Sequence, residues 1–301
     1  MVSPAQIVRK HLAVMPMAQR VLGRTGRRVT AFGLGGQALL EVENRQKEAV
    51  DLIRKALDLG VTYFDTAAIY GPSRAYLGQA LGLRRQTITL ASKVYQRGYK
   101  EAQKELDESF ELLRTPYIDL VQVHGIKDES DLNVFGKNGS LRVLTEARKA
   151  GRIGFIGVTG HYDPAILLRF MGVFDFDTVL LPVNPATPQF LPVVAEAGRR
   201  GMGVIGMKVM SRGILPRTVP AGSLMQFALN WCHVAIVGCS NESDVERNVM
   251  SAAEFRPGII PEFNLPASLV EEAAFFAKGN ESQRWPTTYQ PDLPTLQYEK
   301  G

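Results

Sequence analysis

Four ionisable side chains of different types follow one another in the first half of the chain: Asp65, Tyr70, Lys93 and His124. A tyrosine is a poor acid at neutral pH because its pKa is about 10, but a nearby ammonium stabilises the phenolate and lowers that pKa. An aspartate beside the lysine keeps it charged, and a histidine can donate a hydrogen bond to a substrate oxygen. Together these residue types predict proton delivery to a carbonyl oxygen as it becomes an alkoxide.

This chemistry requires the four side chains to meet, and their places in the sequence predict that they do. Asp65 closes the second strand-like segment of a repeating pattern, Lys93 closes the third and His124 closes the fourth, while Tyr70 follows Asp65 by five residues. In a parallel barrel, catalytic groups lie at the carboxyl ends of the strands and in the loops that follow. Neighbouring strands would therefore place all four residues together.

The pattern that positions them is an alternation of apolar strand-like segments and amphipathic helical segments, with a period of roughly 30 residues. The predicted strands are 29–34, 61–64, 87–93, 118–124, 153–159, 178–183, 202–208 and 234–237. The predicted helices are 46–59, 75–81, 101–113, 141–150, 164–170, 191–200, 224–230 and 245–253. Eight such units without a shift in composition predict a single α/β domain, a (β/α)8 TIM barrel.

The segments outside this alternation predict three further features. Residues 19–30 contain a glycine-flanked basic turn between two short apolar pieces, which indicates a β-hairpin that plugs one mouth of the barrel. Residues 1–17 are expected to form a flexible leader, residues 18–277 the barrel, and residues 278–301 a loop-like tail rich in Pro, Asn, Gln and Ser.

Composition excludes several classes of protein. The 301 residues are 45% hydrophobic and 22% charged, which is typical of a globular chain and not of a disordered or collagen-like one. The longest apolar runs are far shorter than the roughly 20 residues that cross a bilayer, so no membrane partner is expected. A net charge of +5 with dispersed Lys and Arg argues against a nucleic-acid partner, and it fits a phosphorylated cofactor.

Cysteine usage and the N-terminal segment point to the compartment. Cys232 and Cys239 are the only cysteines and lack the paired spacing of a zinc site, so we expect two reduced, buried thiols and no metal. The leader has too short an apolar stretch for a secretory signal. A cytoplasmic protein is therefore expected.

The motifs around the four ionisable residues resemble the active-site segments of the aldo-keto reductase family. They are FDTAAIYG at 64–71, ASKV at 91–94 and QVHG at 122–125. The resemblance extends from about Leu22 to Ala253 and includes the hairpin motif LGRTG and the GLGG that follows it. It implies that Asp65, Tyr70, Lys93 and His124 are the catalytic tetrad of an enzyme that reduces an aldehyde or ketone, a small-molecule carbonyl substrate, with NADP(H) or NAD(H).

The resemblance also implies that the dinucleotide extends over the barrel mouth, with its nicotinamide at the tetrad. The candidate cofactor-binding residues are Gly36, Gln37, Thr159, Gly160, His161, Met207, Lys208, Arg212, Gly213, Leu215, Gly238, Ser240, Asp244 and Asn248. In place of the family's usual Ser-Asn pair for the carboxamide, Thr159 replaces the serine and His161 is a candidate for the asparagine, which Gly160 cannot replace. Leu180 stands where the family commonly has a glutamine, and Met207 replaces the stacking aromatic ring.

The phosphate and adenosine ends are expected near the seventh and eighth strands. Lys208 and Arg212 suit a pyrophosphate because both are cationic, and Asn248 is expected to reach adenine. Asp244 stands where NADP-preferring members often carry arginine, so it is expected to repel a 2′-phosphate and to suit the 2′-hydroxyl of NAD. Arg247 could offset that repulsion, so the choice of cofactor stays open.

Two other functions are compatible with the same residues. One is a nicotinamide-binding regulatory or redox-sensing subunit with negligible turnover, and the other is a class I aldolase in which Lys93 forms a Schiff base. The natural substrate and the oligomeric state are not legible in the sequence, because the loops that select substrates vary widely on one barrel.

Overall fold

The fold was established from a computed structural model that describes residues 17–274. The predicted tail, and the predicted leader apart from Met17, lie outside this range. An antiparallel hairpin of β1 (Gln19–Val21) and β2 (Arg28–Thr30) precedes a closed barrel of eight parallel strands. The barrel strands are β3 (Phe32–Ala38), β4 (Tyr63–Asp65), β5 (Thr89–Val94), β6 (Ile118–Ile126), β7 (Ile153–Gly160), β8 (Thr178–Pro182), β9 (Gly203–Met207) and β10 (Val234–Cys239).

The helices lie between the strands and after the last one. They are α1 (Gln46–Asp58), α2 (Ser73–Leu81), α3 (Tyr99–Leu112), α4 (Ser140–Lys149), α5 (Pro164–Val173), α6 (Leu191–Arg199), α7 (Ala221–Leu229), α8 (Glu242–Ala253) and α9 (Ala267–Ala273). The order around the barrel is β10-β3-β4-β5-β6-β7-β8-β9, so each strand pairs with its neighbours in the sequence and β10 closes the ring on β3.

The predicted (β/α)8 barrel with an N-terminal hairpin is confirmed, with two corrections. The first barrel strand was expected at 29–34, but residues 29 and 30 belong to the hairpin strand β2 and the barrel strand begins at Phe32. The glycine-rich GLGG therefore lies inside β3. Helix α9 has no counterpart among the predicted helices, because it forms within a proline-bounded segment that lacks a long apolar period.

Side chains of the hairpin and of the strands pack together inside the barrel. Strand residues alternate between the interior and the helix layer, because successive side chains of a strand point to opposite faces. Leu22 and Val29 of the hairpin are buried against an interior cluster of strand residues. These are Tyr63, Ala91, Leu120, Leu180, Ile205, Met207 and Val234. The hairpin thus closes the amino-terminal mouth, as predicted, and leaves the carboxyl mouth for the functional groups.

Helical spacing of apolar residues fixes the outer layer. In α1, Ala49, Ile53 and Ala56 are fully buried, at intervals of four and three residues that place them on one face. The helix ends at Asp58. After the capping residue Leu59, Gly60 has φ of 80°, a left-handed conformation that glycine adopts without a steric cost.

Two further features concern the environment of the protein. No helix within residues 17–274 combines the length and the apolar composition that crossing a membrane requires. Cys232 and Cys239 are both buried and unbridged, which confirms the prediction of two reduced thiols.

A close approach of two helices supplies a test of this packing. A Cβ added to Gly78 of α2 would lie 2.1 Å from the Leu112 carbonyl oxygen of α3. We therefore expect Gly78→Ala to lower the free energy of unfolding by about 1–3 kcal/mol, since the backbones must separate. The matched control is Gly198→Ala in α6, where a Cβ would meet nothing within 4 Å. There, alanine should stabilise the helix by up to about 1 kcal/mol. Urea unfolding measures both, and equal effects would contradict the packing.

Candidate active site

The carboxyl ends of three neighbouring strands bring the predicted catalytic residues together. Asp65 ends β4, Lys93 lies next to the end of β5, and His124 lies near the end of β6, while Tyr70 lies in the loop between β4 and α2. All four side chains are buried, with exposures of 1% to 6%. The parallel register pairs Asp65 with Ala91, two residues before Lys93, so Asp65 and Lys93 face the same mouth.

Lys93 and Asp65 form a buried ion pair. Lys93 Nζ donates to Asp65 Oδ1 and also to the Thr66 carbonyl oxygen at 2.9 Å. Burial lowers the pKa of Lys93 and raises the pKa of Asp65, and in each case the charge of the partner opposes the effect of burial. The pair therefore stabilises an ammonium and a carboxylate that burial alone would neutralise.

Tyr70 lies beside this pair, but its acidity differs from the expectation. Lys93 Nζ is 4.8 Å from the centre of the Tyr70 ring. The expected lowering of the Tyr70 pKa is wrong for this structure, because burial, followed by the charges of Asp65 and Glu41, raises that pKa well above its usual value. The phenol therefore stays protonated at neutral pH and is available as a proton donor.

His124 stands between two tyrosine rings. Its imidazole makes edge contacts with Tyr70, at 5.7 Å between ring centres, and with Tyr95, at 5.9 Å. Burial, and then the charge of Lys93, lowers the pKa of His124 well below its usual value. A neutral imidazole keeps one N–H, so it can donate a hydrogen bond to a substrate oxygen without adding charge.

A cleft adjoins the tetrad at the carboxyl mouth and encloses about 600 Å³ between protein atoms, its open entrance included. Asp65 and Tyr70 line one end of it. Among the predicted cofactor-binding residues, six line this cleft: Gly36, Gln37, Met207, Lys208, Arg212 and Gly238. Leu180 and Ile236 add apolar surface. A volume of this size and a mixture of apolar, glycine and cationic surface are typical of a small-molecule site.

The loop after β9 is held in an unusual backbone conformation. Lys208, Ser211 and Arg212 have φ of 55°, 43° and 56°, a left-handed region that costs a residue with a side chain on the order of 1 kcal/mol or more. Gly213 follows with φ of 79°. The Ser211 hydroxyl donates to the Ala273 carbonyl, so α9 braces the loop. Strained residues of this kind concentrate at functional sites.

The residues predicted to bind the carboxamide have contacts within the protein. Thr159 is fully buried near the end of β7, and its hydroxyl oxygen accepts a hydrogen bond from the Gly125 N–H at 2.8 Å. Gly160 ends β7, and the half-buried His161 ring lies 6.0 Å from that of Tyr162. Thr159 therefore supports the backbone next to His124, whatever further contact its hydroxyl makes.

Asp244 has several partners within the protein. Its carboxylate is buried, accepts a hydrogen bond from the Ser240 N–H at 2.9 Å and pairs with Arg247. Its own N–H donates to Asn241 Oδ1 at the start of α8. The Arg247 guanidinium thus lies against the Asp244 carboxylate, as the sequence analysis allowed. The effect of Asp244 on a 2′-phosphate stays a prediction.

Two further predicted cofactor-binding residues, Asn248 and Leu215, are enclosed. The Asn248 amide nitrogen lies 3.5 Å from Cys239 Sγ, and the residue is 5% exposed. Leu215 is fully buried in the segment after the strained loop. Contacts of these residues with a dinucleotide stay predictions.

Glu41 is a site residue that the sequence reasoning missed. Its carboxylate accepts hydrogen bonds from the Ala38 N–H at 3.2 Å and from the Gln37 amide at 3.4 Å. Burial raises the pKa of Glu41 to about 8 against the opposing charges of Lys208 and Arg212, and burial lowers the pKa of Lys208 to about 7. The sequence shows only an acidic residue five positions after the GLGG motif. A single glutamate is usually exposed, so its type alone does not indicate a site.

The chain is similar to proteins of one known family. A model described as the aldo/keto reductase family matches residues 31–228. An L-galactose dehydrogenase of Arabidopsis thaliana is 30% identical over 224 residues, which cover 67% of this chain and 68% of that protein. A pyridoxal 4-dehydrogenase of Microbacterium luteolum is 28% identical over 261 residues, 69% of this chain and 75% of that protein.

A solved structure from Pseudomonas aeruginosa, assigned to the aldo-keto reductases, superimposes with a TM-score of 0.68 at 28% identity. The superposition covers 80% of this chain and 96% of the Pseudomonas chain.

The surroundings of Asp244 predict a loss of stability on truncation. Asp244→Ala leaves the Ser240 N–H and the Arg247 guanidinium without their carboxylate, so we expect the free energy of unfolding to fall by about 1–3 kcal/mol. Asp175→Ala is the control, because that carboxylate is 81% exposed in its pair with Arg24 and should contribute less than about 1 kcal/mol. Urea unfolding compares the two. Equal, small effects would mean that Asp244 is not a structural partner.

Proposed function

This chain belongs to the aldo/keto reductase family, and we propose that it reduces an aldehyde or ketone to an alcohol with Tyr70 as the proton donor. Family membership and the named oxidoreductase relatives make the chain an NAD(P)H-dependent oxidoreductase. The observation that carries the finer proposal is the convergence of Asp65, Tyr70, Lys93 and His124 beside one cleft.

The cleft fits a nicotinamide dinucleotide. Gly36 and Gly238 line it without side chains, and Met207 and Leu180 offer an apolar wall next to Tyr70. Lys208 and Arg212, on the strained loop, add the cations that a pyrophosphate attracts. We assign the nicotinamide to the Met207 end and the phosphates to the loop after β9. When bound, the reduced nicotinamide supplies a hydride to the carbonyl carbon.

The residues of the tetrad then handle the carbonyl oxygen. The neutral His124 donates a hydrogen bond that orients the oxygen, and Tyr70 donates its proton as negative charge develops there. Lys93 stabilises the phenolate that this transfer leaves behind, because its ammonium is 4.8 Å from the Tyr70 ring. Asp65 holds the ammonium in place. The high ground-state pKa of Tyr70 is compatible with this role, since the proton leaves only when the oxygen has become strongly basic.

The names of the relatives support a reaction that also runs as an oxidation. Both are dehydrogenases, one acting on L-galactose and one on pyridoxal. By the reverse of the same steps, a Tyr70 phenolate would accept the proton of an alcohol. We therefore propose that carbonyl compounds and alcohols are both substrates for assay.

The surroundings of Lys93 do not favour the aldolase alternative. Its side chain is 1% exposed, and its Nζ donates to Asp65 and to the Thr66 carbonyl. A Schiff-base lysine must be deprotonated and reachable by the substrate carbon. A measurement of turnover distinguishes the enzyme from the regulatory alternative, because a redox-sensing subunit would bind the cofactor but turn over negligibly.

We propose a cytoplasmic location for the enzyme. Cys232 and Cys239 are free and buried, which is compatible with a reducing compartment.

Removal of the Tyr70 hydroxyl tests the proposed proton donor. We expect Tyr70→Phe to lower kcat for carbonyl reduction by about 100-fold or more, because general acid catalysis contributes on this scale. NADH and NADPH binding, measured by fluorescence titration, should stay within about twofold, since the hydroxyl is not expected to hold the dinucleotide. A kcat near that of the parent enzyme would show that another group donates the proton.

The pH dependence of the reaction rate tests whether Lys93 stabilises the Tyr70 phenolate. Without its ammonium the Tyr70 phenolate is less stable, so Lys93→Met should raise the pKa of Tyr70 further. Alcohol oxidation needs the phenolate, so the rise of its rate with pH should move to higher pH, and kcat should fall. Lys93→Arg retains the charge and should keep the profile closer to that of the parent. An unchanged profile in Lys93→Met would place the ammonium outside the influence of Tyr70.

A further inference from the structure

The backbone at His124 departs from regular strand pairing. Val123 of β6 pairs with Val158 of β7, and Ile126 pairs with Gly160, so three steps along β6 correspond to two along β7. The extra residue is a β-bulge at His124 and Gly125, and Gly125 has φ of 61°. Bulges redirect side chains and terminate pairing next to active sites. The direction of the His124 ring therefore depends on how this bulge is held.

Two side chains hold the peptide groups of Gly125. Its N–H donates to the Thr159 hydroxyl of β7 at 2.8 Å. Its carbonyl oxygen accepts from Arg97 Nη2 at 3.2 Å. Because both polar groups of the residue after His124 are bound to side chains, the bulge does not depend on ladder hydrogen bonds alone.

Arg97 extends this support to the next loop. Its Nη1 donates to the Tyr95 carbonyl oxygen at 2.8 Å, and its Nε pairs with Asp131 Oδ1 at 2.7 Å. The other carboxylate oxygen of Asp131 accepts from the Lys127 N–H at 2.6 Å. The Arg97 and Asp131 side chains are 18% and 13% exposed, so water competes weakly for these contacts. One ion pair thus joins the backbone at 95, 125 and 127, on both sides of His124.

We propose that Arg97 and Asp131 are positioning residues for His124, acting through the Gly125 bulge. The inference rests on the proposed function, because it assigns the hydrogen bond to the substrate oxygen to His124. Neither side chain has to touch the substrate. Loss of the pair frees the Gly125 carbonyl and the Tyr95 loop, so the imidazole samples directions that miss the oxygen. Displacements of about 1 Å in a catalytic group reduce rates by up to about 100-fold.

The test uses the full chain and compares two partly buried ion pairs. We expect Arg97→Gln and Asp131→Asn each to lower kcat/KM for carbonyl reduction by about 10-fold to 100-fold, with NADPH affinity within twofold of the parent. The control is Lys55→Gln, which removes a pair with Glu246 whose side chains are 21% and 23% exposed. It lies between α1 and α8, away from the bulge, and should leave kcat/KM unchanged. Two independent variants guard against one that fails to fold.

Non-additivity separates positioning from a general structural role. In a His124→Gln background, Arg97→Gln should lower kcat/KM by less than about twofold, because the residue it positions is already lost. Thr159→Ser, which retains the hydroxyl that accepts the Gly125 N–H, should keep more activity than Thr159→Val.

An additive loss in the double variant, or a loss confined to NADPH affinity, would overturn the proposal. Parent-like activity in both Arg97→Gln and Asp131→Asn would also overturn it and leave the function of Tyr70 untouched. Retained activity in Tyr70→Phe would instead overturn the proposed function.

Discussion

Two opposite charges lie inside the carboxyl mouth of the barrel almost out of contact with water, and the active site is arranged around them. Lys93 and Asp65 are each 1% exposed. Taking an ammonium and a carboxylate out of water is costly, so such a pair persists only when its geometry is good and its other polar atoms find partners. The Thr66 carbonyl supplies one such partner for Lys93, at 2.9 Å. The pair joins β4 to β5, and Tyr70 lies beside it, with Lys93 Nζ 4.8 Å from the centre of its ring.

Close strand packing makes this placement possible. A Cβ on Gly36 would lie 2.6 Å from the Asp65 carbonyl oxygen, so only glycine lets β3 approach β4 at this height. On the other side, the bulge at Gly125 turns His124 towards the same point. The candidate active site thus depends on the backbone at Gly36 and at the Gly125 bulge as well as on the four side chains.

Burial then sets the protonation states. It raises the pKa of Tyr70 and lowers the pKa of His124, so both side chains are neutral at pH 7. The charges of Lys93 and Asp65 cancel, which leaves an uncharged set of groups suited to a carbonyl. The other side of the cleft differs, since it is lined by Lys208 and by Gln37, the hydrogen-bond partner of Glu41, and the pKa values of Lys208 and Glu41 are both shifted towards neutrality. The separation of a neutral end from an ionisable rim matches a site for an uncharged substrate and an anionic cofactor.

The order of residues along the chain was enough to predict the barrel and the meeting of Asp65, Tyr70, Lys93 and His124 at one mouth. Short apolar segments that alternate with segments of helical period predict the eight barrel strands and eight of the helices, because barrel strands are buried on both faces and each helix on one. Asp65, Lys93 and His124 end successive strands, and a parallel barrel gathers strand ends, so their meeting follows from order along the chain. The motifs around them carry the resemblance to the family.

The contacts of each polar group, by contrast, followed from the folded chain alone. Asp244 was expected at the cofactor, and the structure adds that it is buried against Ser240 and Arg247. Lys93 was expected to acidify Tyr70, but burial, which depends on the whole fold, has the larger effect on that pKa. Arg97 and Asp131 are 34 residues apart and carry no local signature, and their contact around Gly125 exists only because β5, β6 and the following loop converge. Periodicity reports which face of an element is buried, whereas the partners of a buried polar atom depend on distances between elements that are remote in sequence.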